Sequence, residues 1–483
     1  MTATIDRNVR SPYLDGNYAP IHTEIVADLT VVAGELPSDL EGVFVRNGSN
    51  PRYEPKGRYH WFDGDGMLHA VEFGNGRATY RNRYVQTAGL DADCAAGEAG
   101  WTGILEPPDF SRPGGPFKDT ANTDVVFHAG QLLAVWWLGG DPHVIRLPEL
   151  STSGIQTYDG KRRCGLSAHP KVDPATGDMM WFDHQPVPPY LTYGVINSDG
   201  ELVHQTDVEL PGARLQHDLA ITPHWSVLMD MSMMWDPTAL AAGKVRLGFF
   251  RDQPSRFGLL PRFGDGAEVR WFDAEPMFMY HTVNAWETDD EVVLVGCRIA
   301  EPFTGSAPDD GRVVPSIATL RLAPTLHEWR FHRKTGTCRE RQLDDQYAEF
   351  PRMNNGLLGQ ATRYSYHQRC APTATLLFDG VVKYDLAHGA SATSLSYPTG
   401  WFGGETVFAA RTNHGSSVTQ EEDDGYLVTF VVEEATGESE CWVIDARSLA
   451  SEPVCRLRIP QRVPTGYHSW WVSAGEVAHQ RPL

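Results

Sequence analysis

The sequence contains no stretch of 18 consecutive apolar residues and no CxxC pair, and its 41 lysines and arginines are outnumbered by 62 aspartates and glutamates. The first absence leaves no candidate for a membrane-spanning helix. The second argues against a zinc ribbon. The seven cysteines (Cys94, Cys164, Cys297, Cys338, Cys370, Cys441 and Cys455) are odd in number and scattered, which argues against a disulfide framework. A reducing, cytoplasmic setting fits that usage. The opening "MTATIDRNVRSPYLDGNYAP" has no apolar core of the kind a secretory signal needs. A net charge of −21 repels phosphate backbones and disfavours nucleic acid as a partner. Also missing are a P-loop, a GxGxxG after a strand, and the regular repeat of WD or kelch propellers. Long helical periodicity is nearly absent; the best candidate, "DPTALAAGKVRLGFF", is short.

What the sequence does have is strand material. Hydrophobic residues make up 41% and aromatics 11%, with 14 tryptophans, enough for a wide core or an apolar cavity. The 46 glycines and 33 prolines are spread throughout and cut the chain into short apolar runs. "QLLAVWWLGGDPHVIRL" reads as strands broken at Gly-Gly-Asp-Pro. "LTYGVINSDGELVHQTDVEL" reads as a hairpin around Asn197–Gly200, and "GYLVTFVVEEATGESECWVIDARSL" as a second hairpin around Ala435–Gly437. "EVRWFDAEP" and "EVVLVGCRI" are further strands. The expected class is all-β. For 483 residues, a closed radial array of small, degenerate sheets protects edge strands better than one large sheet. Residues 88–118 and 236–263 read instead as excursions, forming lids or tunnel walls. The second mixes Leu, Phe and Val with Arg and Lys, which suits the rim of an apolar opening resting on a membrane surface.

Eighteen histidines are present. His60, His69 and His128 read as packing residues. His169 in "SAHPKVDPATGD", His217 in "LQHDLAIT", His281 in "MFMYHTVNAWE" and His468 in "GYHSWW" have stronger contexts, with separations of 48, 64 and 187 residues. That spacing excludes a local metal loop but allows one imidazole from each of several sheets to meet on an axis. Four neutral imidazoles suit iron, copper, zinc or nickel and leave a ferrous ion its full charge. In an octahedral arrangement, two positions remain for O2, water or substrate. Each ligand would need an acceptor on its other ring nitrogen. Taken singly, a histidine in an aromatic setting is more often a hydrogen-bonded core residue.

The segments "EGVFVRNGSNPRY" (41–53), "YHWFDGDGMLHAV" (59–71), "DTANTDVVFHAGQLLAV" (119–135), "SAHPKVDPATGD", "HDLAIT", "YHTVNAWE", "AEFPRMN" (348–354), "EEDDGYLVT" (421–429) and "RVPTGYHSWW" (462–471) together resemble the carotenoid oxygenase family, in order and from about residue 12 to the C-terminus. The resemblance implies a single seven-bladed β-propeller over residues 1–483, capped by a dome of loops and helix. It implies an axial Fe(2+) held by His169, His217, His281 and His468, with O2 as co-substrate. It also implies oxidative cleavage of a conjugated C=C bond in a carotenoid or apocarotenoid to carbonyl products, without NAD(P)H or flavin. Glu349 and Glu405 match glutamates that hydrogen-bond ligand histidines. Thr123 matches a residue that crowds one free iron position.

The chain departs from the pattern at one point. Fourteen residues on from Thr123, where relatives carry a third glutamate, stands Trp137. Tryptophan cannot accept that hydrogen bond, so one ligand must use water, a backbone carbonyl or a different carboxylate. Trp136 stands where the lignostilbene-cleaving branch places a lysine, and Trp101 lies in the region of that branch's tyrosine. Indoles there disfavour a hydroxystilbene and favour a longer apolar polyene. Three rival readings are a lignostilbene- or phenylpropene-type cleaver on the same iron, a propeller that binds without catalysis, and a calcium-dependent propeller hydrolase. The last needs an oxygen-rich ligand set that the histidines do not supply.

Overall fold

Short β-branched and aromatic runs between turn residues become antiparallel strands in a computed structural model that describes residues 10–112, 114–236, 238, 247–302, 322–411, 421–449 and 452–483. Four sheets have four strands in simple sequence order. They cover Asp124–His128 to Ser151–Ile155, Lys171–Val172 to Leu202–Val208, Ala220–Ile221 to Arg270–Ala274, and Phe278–Glu287 to Cys338–Gln342. The expected hairpin forms between Leu191–Ile196 and Leu202–Val208. Asn197 closes it by accepting the backbone N–H groups of Asp199 and Glu201 through Oδ1 at 3.1 and 2.8 Å. The hairpin at Ala435–Gly437 joins Gly425–Glu433 to Ser439–Asp445.

The two chain ends are woven together. The C-terminal strand Ser469–Ser473 pairs with Gly42–Arg46 in a five-stranded sheet with Val26–Asp28, Met67–Gly74 and Arg77–Tyr84. The N-terminal strand Thr30–Gly34 pairs with Cys455–Ile459 in a ten-stranded sheet. Sheets that follow one another in sequence and are sealed by strands from both ends make a closed ring, the architecture of a propeller. Radial closure leaves short edge strands such as Ser151–Ile155 rather than one long free edge.

One expectation needs correction. Residues 236–263 are not an excursion throughout. Ser255–Pro261 is an inner strand of its sheet, paired on both sides with Trp225–Asp230 and Arg270–Ala274. Its run "SRFGLLP" lacks the alternation that marks a half-exposed strand, because Phe257, Leu259 and Leu260 are all buried. Leu247–Phe249 forms a two-stranded ribbon with Met233–Trp235; residues 237 and 239–246 lie outside the described residues. The other excursion contains a nine-residue helix, Ala88–Ala96, capped by Thr87 and ended by Gly97 in the left-handed conformation, before an irregular run. No helix among the described residues is long and apolar enough to cross a membrane.

The sheets pack through large side chains. Trp181 and Trp329 are fully buried. Gly194 lies opposite Trp181 in the ladder, and a Cβ there would sit 2.6 Å from the indole. Gly194→Ala is therefore expected to destabilise the fold by about 1–3 kcal/mol through overpacking, read as a lower denaturation midpoint. An unchanged midpoint would show that the indole can move aside.

Candidate metal centre

The strands at the inner edges of the sheets carry the polar groups of the axis. His169 lies two residues before Lys171–Val172, and His217 three before Ala220–Ile221. His281 sits within Phe278–Glu287 where the ladder register shifts, and His468 immediately precedes Ser469–Ser473. Each of these strands ends its sheet, so side chains at its turn or bulge are free to point at the axis rather than at a neighbouring strand. All four imidazoles are buried and offer ligand atoms within 4.8 Å of one another. Nε2 of His169 lies 3.2 Å from Nε2 of His217. His169 has a φ of +66°, strained for a residue with a Cβ, and such strain persists only where the surroundings enforce it.

Carboxylates orient three of the rings. Nδ1 of His281 lies 2.6 Å from Glu349 Oε2, and Nδ1 of His468 lies 3.0 Å from Glu405 Oε1. Nδ1 of His169 lies 2.9 Å from Asp124 Oδ2. Asp124 therefore serves His169, a contact that sequence reading did not identify. Its only signal was its place directly after Thr123 in "ANTD". Among the described residues no carboxylate is hydrogen-bonded to His217, and Trp137 lies in the cavity beside it.

Burial holds His169, His217 and His468 well below the usual histidine range, and the neighbouring imidazoles push the same way. They are therefore neutral and able to donate lone pairs. Burial acts on His281 too, but Glu349 outweighs it and the net shift is upward. Burial pushes Glu405 up to about 7, against the pull of Arg352. Arg352 donates to Glu405 at 2.8 Å and to the Ser469 carbonyl at 2.7 Å, and lies 4.0 Å from Asp124. Lys171 pairs with Asp218 at 2.6 Å.

These residues fit a divalent cation. Nε2 of His281 is buried with no hydrogen-bond partner. Around the cluster, among the described residues, the four carboxylates of Asp124, Asp218, Glu349 and Glu405 outnumber the cations Lys171, Arg352 and Arg46. A dication bound by neutral imidazoles would offset that excess. The donor set is all nitrogen, which suits iron and its first-row neighbours and not calcium. His60, His69 and His128 stand apart: His60 caps the Phe62 amide at 3.0 Å, His69 meets the Tyr80 hydroxyl at 2.8 Å, and His128 meets the Gly177 carbonyl at 3.0 Å.

Two cavities of different character meet at the cluster. On one side, His217, His281 and His468 border a space of about 30 Å³ with Phe62, Thr123, Trp137, Tyr280, Phe350 and Tyr467. A further space of about 50 Å³ adjoins it, walled by Phe62, Ile104, Phe117, Trp137, Trp235 and Leu247. Trp136 and Trp101 are one step further out, in a third space that also borders Phe62 and contains Lys118. Trp136 thus does not line the cavity against the histidines, whereas Trp137 does. The Thr123 hydroxyl donates to Asn122 Oδ1 at 2.9 Å and accepts from the Trp137 amide at 3.2 Å, which leaves its methyl for the cavity. On the other side lies a larger space of about 290 Å³, where Asp124, Asp218, Glu405, Lys171 and Arg352 share the lining with apolar groups such as Phe127, Val172, Met353 and Trp470.

The family profile described as retinal pigment epithelial membrane protein matches residues 18–473. The chain is 35% identical to a carotenoid 9,10(9′,10′)-cleavage dioxygenase of Crocus sativus, over 99% of this chain and 92% of that one. Lignostilbene dioxygenase of Pseudomonas brassicacearum superimposes with a TM-score of 0.85 at 29% identity, covering 96% of this chain and 99% of the other. An apocarotenoid oxygenase of Synechocystis superimposes with a TM-score of 0.82 at 26% identity, covering 95% and 98%. That enzyme has also been solved in cobalt-substituted form, at a TM-score of 0.80 and 25% identity over 94% and 97%.

Proposed function

Since the chain belongs to the carotenoid cleavage oxygenase family, the one its match to retinal pigment epithelial membrane protein defines, we propose that it cleaves a conjugated double bond of a carotenoid or apocarotenoid with O2. The observation that carries this reading is the cluster of four buried imidazoles opening on an apolar cavity. His169, His217, His281 and His468 would hold a ferrous ion, which would supply O2 binding and one-electron chemistry; the alkene would supply the electrons, with one oxygen atom in each of two carbonyl products. The rest is positioning. Asp124, Glu349 and Glu405 fix three rings so that their Nε2 lone pairs converge. Phe62, Trp137, Tyr280 and Phe350 exclude water and hold the polyene. No general base is required.

Ring closure and sheet order support seven blades if the ten-stranded sheet counts as two. The segment 88–118 contributes Ile104 and Phe117 to the cavity wall and Leu247 comes from 236–263, so these segments form the cover of the substrate tunnel. The seven thiols fit a cytoplasmic protein, and the apolar cover suits peripheral contact with a membrane that supplies the substrate. The Thr123 methyl narrows one approach to the metal and steers O2 to the other. Thr123→Ala is accordingly expected to lower the ratio of product formed to O2 consumed at unchanged iron content. An unchanged ratio would assign Thr123 to holding Asn122 and the Trp137 amide.

The test of the reading is aerobic incubation of the iron-loaded protein with a panel of apocarotenals and hydroxystilbenes, with products identified by mass. Aldehydes from the apocarotenals alone are expected. Cleavage of hydroxystilbenes alone would move the protein to the lignostilbene branch, and O2-independent inertness toward both would leave a binding protein. Trp136→Lys is expected to shift preference toward hydroxystilbenes; no shift would mean that position 136 does not contact substrate.

A further inference from the structure

The larger cavity behind the imidazoles differs from the apolar one in carrying charged groups along its lining. It begins at His169, His281 and His468 and passes Asp124, Asp218 and Glu405. It ends at the exposed residues Pro174, Asn355, Gly356 and Glu476, so its lining runs unbroken from the buried cluster to the surface. None of the residues bordering the innermost apolar cavity is exposed, and its walls are aromatic and aliphatic apart from Thr123, Glu349 and the imidazoles. Moving a dication through such walls strips its water with nothing in return, which costs many kcal/mol. Moving it past carboxylates replaces water with oxygen ligands stage by stage, and a cleft lined by negative charge concentrates cations at its mouth. Two cations in the lining oppose such entry, Arg352, which Glu405 and the Ser469 carbonyl hold, and Lys171, half-buried at the strand that borders this space. Lys171 is latched to Asp218 at 2.6 Å. Asp218 also accepts the Thr282 amide and hydroxyl, both at 2.8 Å, and the Leu219 amide at 2.7 Å, so it stays in place if Lys171 swings away.

We propose that the metal ion reaches the imidazoles through this channel, with Lys171 as a charged latch, while the alkene arrives from the opposite, apolar side. The proposal rests on the metal-site reading above. The test uses full-length protein stripped of metal, with Co(2+) as the probe because it gives an optical signature on binding and a relative accepts it. Lys171→Met is expected to raise the Co(2+) association rate about tenfold at low salt, an advantage that high salt erases. Val172→Trp, at the half-buried channel wall, is expected to slow association to a similar degree, and Leu138→Trp, in the wall of the apolar space beside Trp137, to leave it unchanged. An unchanged rate in Lys171→Met, or slowing in Leu138→Trp but not in Val172→Trp, would overturn the channel. If Val172→Trp fails to fold by circular dichroism, Lys171→Met with its salt dependence decides alone. Failure of the underlying reading looks different: the unsubstituted protein would take up no Co(2+) at all.

Discussion

His281→Ala is expected to remove turnover completely and to lower metal retention by far more than about 100-fold, the upper range for losing an outer partner of a ligand. His281 is the one imidazole of the four whose inward nitrogen is buried without any partner, and its ring borders both cavities. The substitution also takes the imidazole from Glu349, which is fully buried, whose Oε1 already lacks a partner and whose Oε2 keeps the Phe350 amide. Removing one member of a buried pair typically costs about 3–5 kcal/mol, so a bare His281→Ala could fail by unfolding. His281→Ala combined with Glu349→Gln neutralises that carboxylate and keeps the experiment about the metal. Metal content by mass spectrometry, with a thermal midpoint on the same sample, checks the result. A folded double variant that retains stoichiometric iron would sink the four-imidazole centre.

Asp124→Asn should weaken metal binding by about 10–100-fold, the range for losing a carboxylate behind a ligating histidine. The size is expected because His169 has little else to hold it. Its backbone is in the left-handed region, its Nδ1 contact is Asp124, and its opposite nitrogen faces His217. An amide oxygen can still accept one hydrogen bond, but it brings no charge to favour the imidazole as donor and adds a donor beside Arg352. Chelator competition on the purified variant measures the loss. Glu349→Gln and Glu405→Gln provide the scale, since these carboxylates do the same for His281 and His468. If Asp124→Asn binds metal as tightly as the parent, His169 is held by its backbone alone.

The strands were legible because their signals are local. The hairpins at Asn197–Gly200 and Ala435–Gly437 are written in turn chemistry and in the runs on either side. The strand Ser255–Pro261 was misread because it is buried on both faces, and a continuous apolar run next to arginine and proline looks the same whether it is a strand or a packed loop. Asp124 was missed for a related reason: nothing in "ANTDVVF" distinguishes a carboxylate turned toward an imidazole 45 residues away from one turned toward solvent.

By itself, the sequence determined that short antiparallel strands would form and that four histidines in separate segments were candidates to meet at one place, a set that the family resemblance singled out. Those properties depend on residue type and near neighbours, and they survive in a one-dimensional reading. Only the tertiary structure decided that Asp124 stands behind His169, that Trp137 and not Trp136 faces the histidines, and that the cluster divides an apolar cavity from a larger one with charged groups in its lining. Each of these is set by which way an inner-edge side chain turns, and a one-residue change of register reverses that direction without altering composition or spacing.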